Sequence, residues 1–221
     1  MSFYTFPIPL NAIRAARTHA ADNDVRHYLC GIYVDLRRGK IVGTDGHRLF
    51  VGDIPAYDSA SFIIRNETID AALKQFGKNY ARGKDAATEC VQVTTNGIQV
   101  SIQTPIGTVT GTAIDATYPN YLNVIPKSVP DTLAPSGING RYVYEAFEAL
   151  ATYRNRKARG GYGAILSTNG NNSAVVSDGL GGALCVIMPM RIDVEYNNTN
   201  NALNGFFRSL DPLAQEVANA A

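Results

Sequence analysis

No run of about 18 apolar residues occurs in this chain, and the opening Met1-Ser2-Phe3-Tyr4-Thr5 has neither the basic flank nor the apolar stretch of an export signal. A cytoplasmic protein is expected. Charge of one sign is also missing: 20 basic against 19 acidic residues give a net +1. Bulk electrostatics therefore do not mark the chain as a nucleic-acid binder, and any such signal must be local. Cysteine is scarce. Cys30, Cys90 and Cys185 are odd in number, far apart and set in apolar strand-like segments, which predicts reduced, packed thiols. The sequon-like Asn66-Glu67-Thr68 and Asn171-Asn172-Ser173 are then chance matches, since glycosylation needs the secretory route. What remains, 45% hydrophobic and 18% charged residues in 221, is the composition of a globular protein with one or two ordinary cores.

One pattern occurs three times: a short strand, an amphipathic helix, then three strands joined by tight turns. The first copy reads as strand 4–8, helix 10–20 with Ile13, Ala16 and Ala20 on one side, and strands 31–36, 40–44 and 48–53. The second opens with strand 61–65. Asn66 then caps a helix on which Ile69, Ala72, Leu73 and Phe76 share a face, and Asp70 and Lys74 form a supporting i, i+4 pair. Strands 90–94, 98–103 and 107–113 follow, the first two joined through Asn96-Gly97, a pair suited to the positive φ of a hairpin turn. The third copy has a strand near 133–138, a helix over 141–153 with Val143, Phe147 and Leu150 aligned, and strands 163–167, 173–177 and 183–188, with Asn169-Gly170 at a turn. An Asn-rich link (197–201) leads to a tail read as a short helix, in which Phe206, Phe207, Leu210 and Leu213 form an apolar cluster.

No catalytic constellation stands out. Asp45 and His47 lack the further ligands that a metal site needs, so no metal is expected. The glycine-rich Gly160-Gly161-Tyr162-Gly163 lacks the Lys-Ser/Thr of a phosphate-binding loop, and His19 and His27 have no visible nucleophile or carboxylate partner. The expectation is a protein that is not an enzyme and uses no cofactor. The helices do carry a signal. Arg14 and Arg17 share a face of the first; Lys74 and Lys78 lie four apart on the second, with Arg82 and Lys84 beyond; the third ends in Arg154, Arg156, Lys157 and Arg159. Three basic helices in three repeated units, turned toward one concavity, would present a positive surface to phosphates without reading bases.

Three segments resemble a known family. Asp24-Val25-Arg26-His27-Tyr28-Leu29-Cys30-Gly31 followed by Thr44-Asp45-Gly46-His47-Arg48-Leu49 is similar to the middle domain of the bacterial DNA polymerase III beta subunits, the beta sliding clamps. Tyr118 to Pro126 is similar to the segment leaving that domain, and Val186-Ile187-Met188-Pro189-Met190-Arg191-Ile192 to the strand that closes the family's chains. The resemblance covers about residues 3–192. It implies an α+β, DNA-clamp fold of three repeated β-α-β-β-β units with antiparallel sheets outside and helices inside. Residues 1–126 correspond to the middle domain, 127–192 to the second half of the C-terminal domain, and 193–221 to a linker and tail.

The resemblance further implies a clamp that encircles double-stranded DNA without sequence specificity in the bacterial cytoplasm, at the nucleoid. The cations named above would be its DNA-binding residues. Polymerases and other partners would dock peptides, a glutamine followed after a short gap by Leu-Phe, into an apolar groove, and a clamp loader would be a further partner. The matching groove residues are Leu29, Thr44, Gly46, His47, Arg48, Leu49, Pro119 and Val124, with Val186, Met188, Pro189, Met190 and Arg191 from the closing strand. Methionines beside leucine and valine suit an adaptable apolar pocket, with His47, Arg48 and Arg191 as rim donors. The alternative is a truncated homologue that competes for clamp partners or the loader without encircling DNA. Counting units leads to a ring-shaped homotetramer: a groove kept within one chain requires unit one to lie between units two and three, and twelve units close the ring.

Overall fold

One kind of turn chemistry recurs between the strands. The computed structural model describes residues 2–59, 61–77, 89–128, 137–156 and 162–190, and three of their Ser/Thr-Asp/Asn-Gly turns share one set of hydrogen bonds. The Thr44 hydroxyl accepts from the Gly46 N–H at 3.0 Å, and the Asp45 carboxylate from the His47 and Arg48 N–H groups at 2.8 and 3.0 Å. Thr95 and Asn96 serve Gly97, Ile98 and Gln99 in the same way. Ser177 and Asp178 serve Gly179 and Leu180. The three glycines take φ values of 88°, 89° and 73°, a region that a Cβ opposes.

These turns organise three units. The first is β1 (Tyr4–Pro9), α1 (Leu10–Arg17), β2 (Gly31–Asp35), β3 (Lys40–Thr44) and β4 (Arg48–Asp53). The second is β5 (Phe62–Arg65), α2 (Asn66–Phe76), β6 (Cys90–Thr95), β7 (Gln99–Thr104) and β8 (Gly107–Thr112). The third comprises α3 (Gly140–Tyr153), β9 (Ile165–Asn169), β10 (Asn172–Ser177) and β11 (Ala183–Ile187); before α3, Gly137 forms an isolated bridge with Met190. The strand expected near 133–138 otherwise lies outside the described residues, as does the tail.

Two antiparallel sheets result, ordered β1-β6-β7-β8 and β5-β2-β3-β4-β11-β10-β9. Units one and two exchange their first strands: β1 lies along β6 with Ile8 opposite Val91, and β5 lies along β2 with Ile64 opposite Ile32. Unit three joins through β4 and β11, where Leu49 faces Val186. Unit one thus sits between the other two. On the inner face, α1 packs on β3, β4 and α3, while α3 packs on β10 and β11 and α2 on β7 and β8. Gly43 permits the approach of α1, because a Cβ there would meet the Ala16 carbonyl. Ile8, Ile13, Ile32, Phe50, Ile69, Ile102 and Leu150 belong to the resulting shared core, each stabilising it by about 1.5–3 kcal/mol.

Several local expectations need correction. Helix α1 stops at Arg17, short of residue 20, as the Thr18 hydroxyl donates to the Ala15 carbonyl and His19 N–H to that of Ala16. Asn66 is no cap: its amide is buried and donates to the Ala21 carbonyl at 2.8 Å, whereas Asn139 does cap α3. Asp70 pairs with Arg17 instead of Lys74, through two contacts of 2.8 and 2.7 Å. Cys185 is buried, but Cys90 is exposed, because β6 alternates and its first residue faces outward.

His19 is fully buried, with Phe50 at 6.0 Å and no hydrogen-bond partner for Nε2. Burial first, then the nearby Arg48 charge, lowers its pKa from 6.5 to about 3. Above pH 6.5 the ring is neutral in both folded and unfolded chains. Below it the unfolded chain takes up a proton that the fold refuses, so stability falls by about 1.4 kcal/mol per pH unit toward pH 3. Urea unfolding between pH 7 and pH 4 should show this slope, and His19→Asn should flatten it; equal slopes in the two proteins would exclude His19 as its source.

Candidate functional site

A second apolar cluster lies on the sheet face opposite the helices, and it spans the β4–β11 seam. Strand alternation builds it: Leu49 and Val51 project outward from β4 while Arg48 and Phe50 project inward. With Val42, Ile63 and Val186 they meet Ile114, Tyr118 and Tyr121 from the segment after β8. Tyr33 stacks on Tyr118 at 4.7 Å with 8° between the rings. The Tyr121 hydroxyl donates at 3.1 Å to Asp35, a carboxylate 1% exposed that also accepts from Arg38. Burial, then the Asp35 charge, pushes the Tyr121 hydroxyl well above its ordinary pKa, so it stays a donor and pins the segment to the sheet.

Three of the expected groove residues, Leu49, Val124 and Val186, belong to this cluster. Leu49 and Val186 are buried in it, and Val124 packs against it half-buried. Met188 N–H donates to the His47 carbonyl at 2.8 Å, extending the seam beyond the strands, and its sulfur lies 3.6 Å from the Ser173 hydroxyl. Thr44 closes the neighbouring turn by donating to the Arg48 carbonyl at 2.6 Å. Gly46, His47 and Pro119 are exposed, Pro189 is half-buried, and Met190 is 54% exposed. Leu29 is buried as the last residue of the short helical turn His27–Leu29. Arg191 lies outside the described residues. Tyr28, Tyr33, Val51, Ile63, Tyr118, Tyr121 and Leu184 were missed; the alternation that places Leu49 outward also places Val51 and Val42 there.

Arg48 is a different case. It faces the helices, 9% exposed, with Asp45 at 3.0 Å, the Thr18 carbonyl at 3.0 Å, Glu145 in contact and the Tyr142 ring centroid at 5.0 Å. A guanidinium so engaged on the opposite face is not a rim donor of the groove.

The cations on the helix side divide. Arg17 is held by Asp70 and Asp22. Arg154 is held by Asp178, with the Gly181 carbonyl and Tyr153 ring as further partners. Arg14 donates to the Gly77 carbonyl at 3.0 Å, and Lys74 and Arg156 are exposed. Lys78, Arg82, Lys84, Lys157 and Arg159 fall outside the described residues. Among those described, no group of three His, Cys, Asp or Glu side chains is placed to hold a metal, and no helix is long and apolar enough to cross a membrane.

No protein-family model matches the chain. The beta sliding clamps of two Caulobacter vibrioides strains are each 26% identical over 160 residues, 68% of this chain but 40% of theirs. A DNA polymerase sliding clamp from Pseudomonas aeruginosa shares the fold with a TM-score of 0.60 and 19% identity, over 85% of this chain and 66% of that one. The H. pylori beta clamp does so at 0.65 and 15%, over 85% and 66%. Caulobacter crescentus pol III beta does so at 0.60 and 20%, over 87% and 66%. Similar in sequence across that stretch and in fold over most of its length, the chain is a relative of the beta sliding clamps that spans part of their length.

Proposed function

We propose that the protein is a non-enzymatic sliding clamp of a bacterial cytoplasm, which encircles duplex DNA at the nucleoid and tethers a polymerase or repair protein through the outer groove. The observation that carries this reading is the apolar cluster across the β4–β11 seam, placed on the face opposite all three helices. One face is thereby free to hold a peptide while the other turns toward DNA. Contacts from Arg14, Lys74 and Arg156 to phosphates are nonspecific and salt-sensitive, which suits a ring that must slide. Four chains supply twelve units. With unit one in the middle of each chain, twofold dihedral symmetry brings unit three against unit three and unit two against unit two, where β8 is a sheet edge.

The test is topological. Assemblies placed on nicked circular DNA are expected to remain after a salt wash and to run off once the circle is cut; equal retention on both forms would sink the encircling reading. The ion-paired state of Arg17 and Arg154 favours a second reading, a competitor that binds clamp partners or the loader through the groove alone. That protein would bind peptide normally and be retained on neither DNA.

A further inference from the structure

The exchange of first strands between units one and two defines a rule that unit three does not satisfy by itself. In each of the first two units, the strand that follows the helix is covered on its outer edge by a strand from the other: β2 by β5, and β6 by β1. Among the described residues the corresponding strand of unit three, β9, ends its sheet. The core behind it is correspondingly open. Ile32 of β2 is fully buried, and so is Ile69 of α2, whereas Leu166 of β9 and Val143 and Phe147 of α3 are only partly buried, and Ile165 is 64% exposed.

We infer that a second copy of the chain closes this edge, Ile138 just before its α3 lying against β9 while the first copy returns the same contact. The register follows from the internal correspondence. Ser177-Asp178-Gly179 occupies the turn position of Thr44-Asp45-Gly46, and Leu166 faces Val176 on β10, so Leu166 takes the place of Ile32. In unit one, Ile32 faces Ile64, two residues before the first residue of α2. Two residues before the first residue of α3 stands Ile138, itself half-buried. Ile138 of each copy therefore meets Leu166 of the other, and the contact is isologous about a twofold axis, sealing an edge that would otherwise invite uncontrolled strand pairing. The inference rests on the strand exchange within this chain, and deepens the clamp reading without requiring it.

The experiment uses the full chain in the absence of DNA. Light scattering should give at least twice 23.8 kDa, and Ile165→Lys, an exposed edge position, should weaken self-association at least tenfold with unchanged thermal unfolding of the dissociated chain. In a Cys90→Ser background, oxidising Ile138→Cys/Leu166→Cys should yield a cross-linked dimer on a denaturing gel, and neither single cysteine should. A monomer over a hundredfold concentration range, or a cross-link confined to one chain, overturns the proposal. So does loss of association on deleting residues 197–221, which would make the tail the occupant of the edge. Peptide binding to the outer groove is a separate readout, so failure here leaves the groove reading intact, and loss of peptide binding alone leaves the interface intact.

Discussion

Met190→Glu should remove peptide binding while leaving the fold unchanged. Met190 is 54% exposed and is tied to the rest of the protein by its backbone bridge to Gly137, so its side chain contributes little to stability. In the proposed groove it would join Leu49, Val186 and Met188 as an adaptable apolar wall. A leucine or phenylalanine anchor buried there gains about 1.5–3 kcal/mol, and a carboxylate in the wall both forfeits contact and must be desolvated. A loss of about 2–3 kcal/mol, roughly 30- to 150-fold in Kd, is expected. Met190→Leu should retain most of the affinity. Because the chain has no tryptophan, a peptide carrying one at its anchor reports binding by its own fluorescence. Equal affinity of the Glu variant and the parent, both folded, would exclude Met190 from the groove.

Turn chemistry and strand period made much of this arrangement readable in the sequence. Asn96-Gly97 and Thr44-Asp45-Gly46 mark their hairpins because hydroxyl, carboxamide or carboxylate and glycine satisfy three successive needs of one backbone shape. The order of units was also legible, since a groove fed by both Leu49 and Val186 requires β4 beside β11. The exchange of β1 and β5 was not: Pro7 and Gln92, which face each other, are 85 positions apart, and nothing local in either strand names the other. Asp70 shows the same limit at the level of one ion pair. Lys74 is within reach along its own helix, but the planar fork of Arg17 on α1 engages both carboxylate oxygens, and it wins the contact.

Arg48 was misplaced for a physical reason of the same kind. A run that resembles a family motif, such as Thr44 to Leu49, invites all its residues onto one surface, yet the pleat of β4 sends neighbours to opposite faces. Leu49 enters the outer cluster, and Arg48 goes under the helices to join the β3–β4 turn, the end of α1 and the middle of α3.

Replacing Arg48 is therefore expected to damage stability and spare the groove. Its side chain is 10% exposed, and its partners Asp45 and Glu145 are 19% and 21% exposed. Arg48→Met leaves Asp45 without its cation, Glu145 with only the exposed Arg141, and the Thr18 carbonyl without its donor. Breaking a fully buried pair costs about 3–5 kcal/mol; water reaches these carboxylates in part, so about 2–4 kcal/mol is expected here. Arg48→Lys should recover little, because one ammonium cannot span three acceptors and the Tyr142 face together. Adding Glu145→Gln to Arg48→Met should restore only a small part of the loss, since the exposed Arg141 already balances the Glu145 charge in part. Urea unfolding of the four proteins gives these differences, and a cost below about 1 kcal/mol for Arg48→Met would show that the network is ornamental. Peptide affinity measured on the folded fraction of Arg48→Met should equal that of the parent. A fall in affinity as large as that of Met190→Glu, with stability unchanged, would return Arg48 to the groove rim and overturn its assignment to the opposite face.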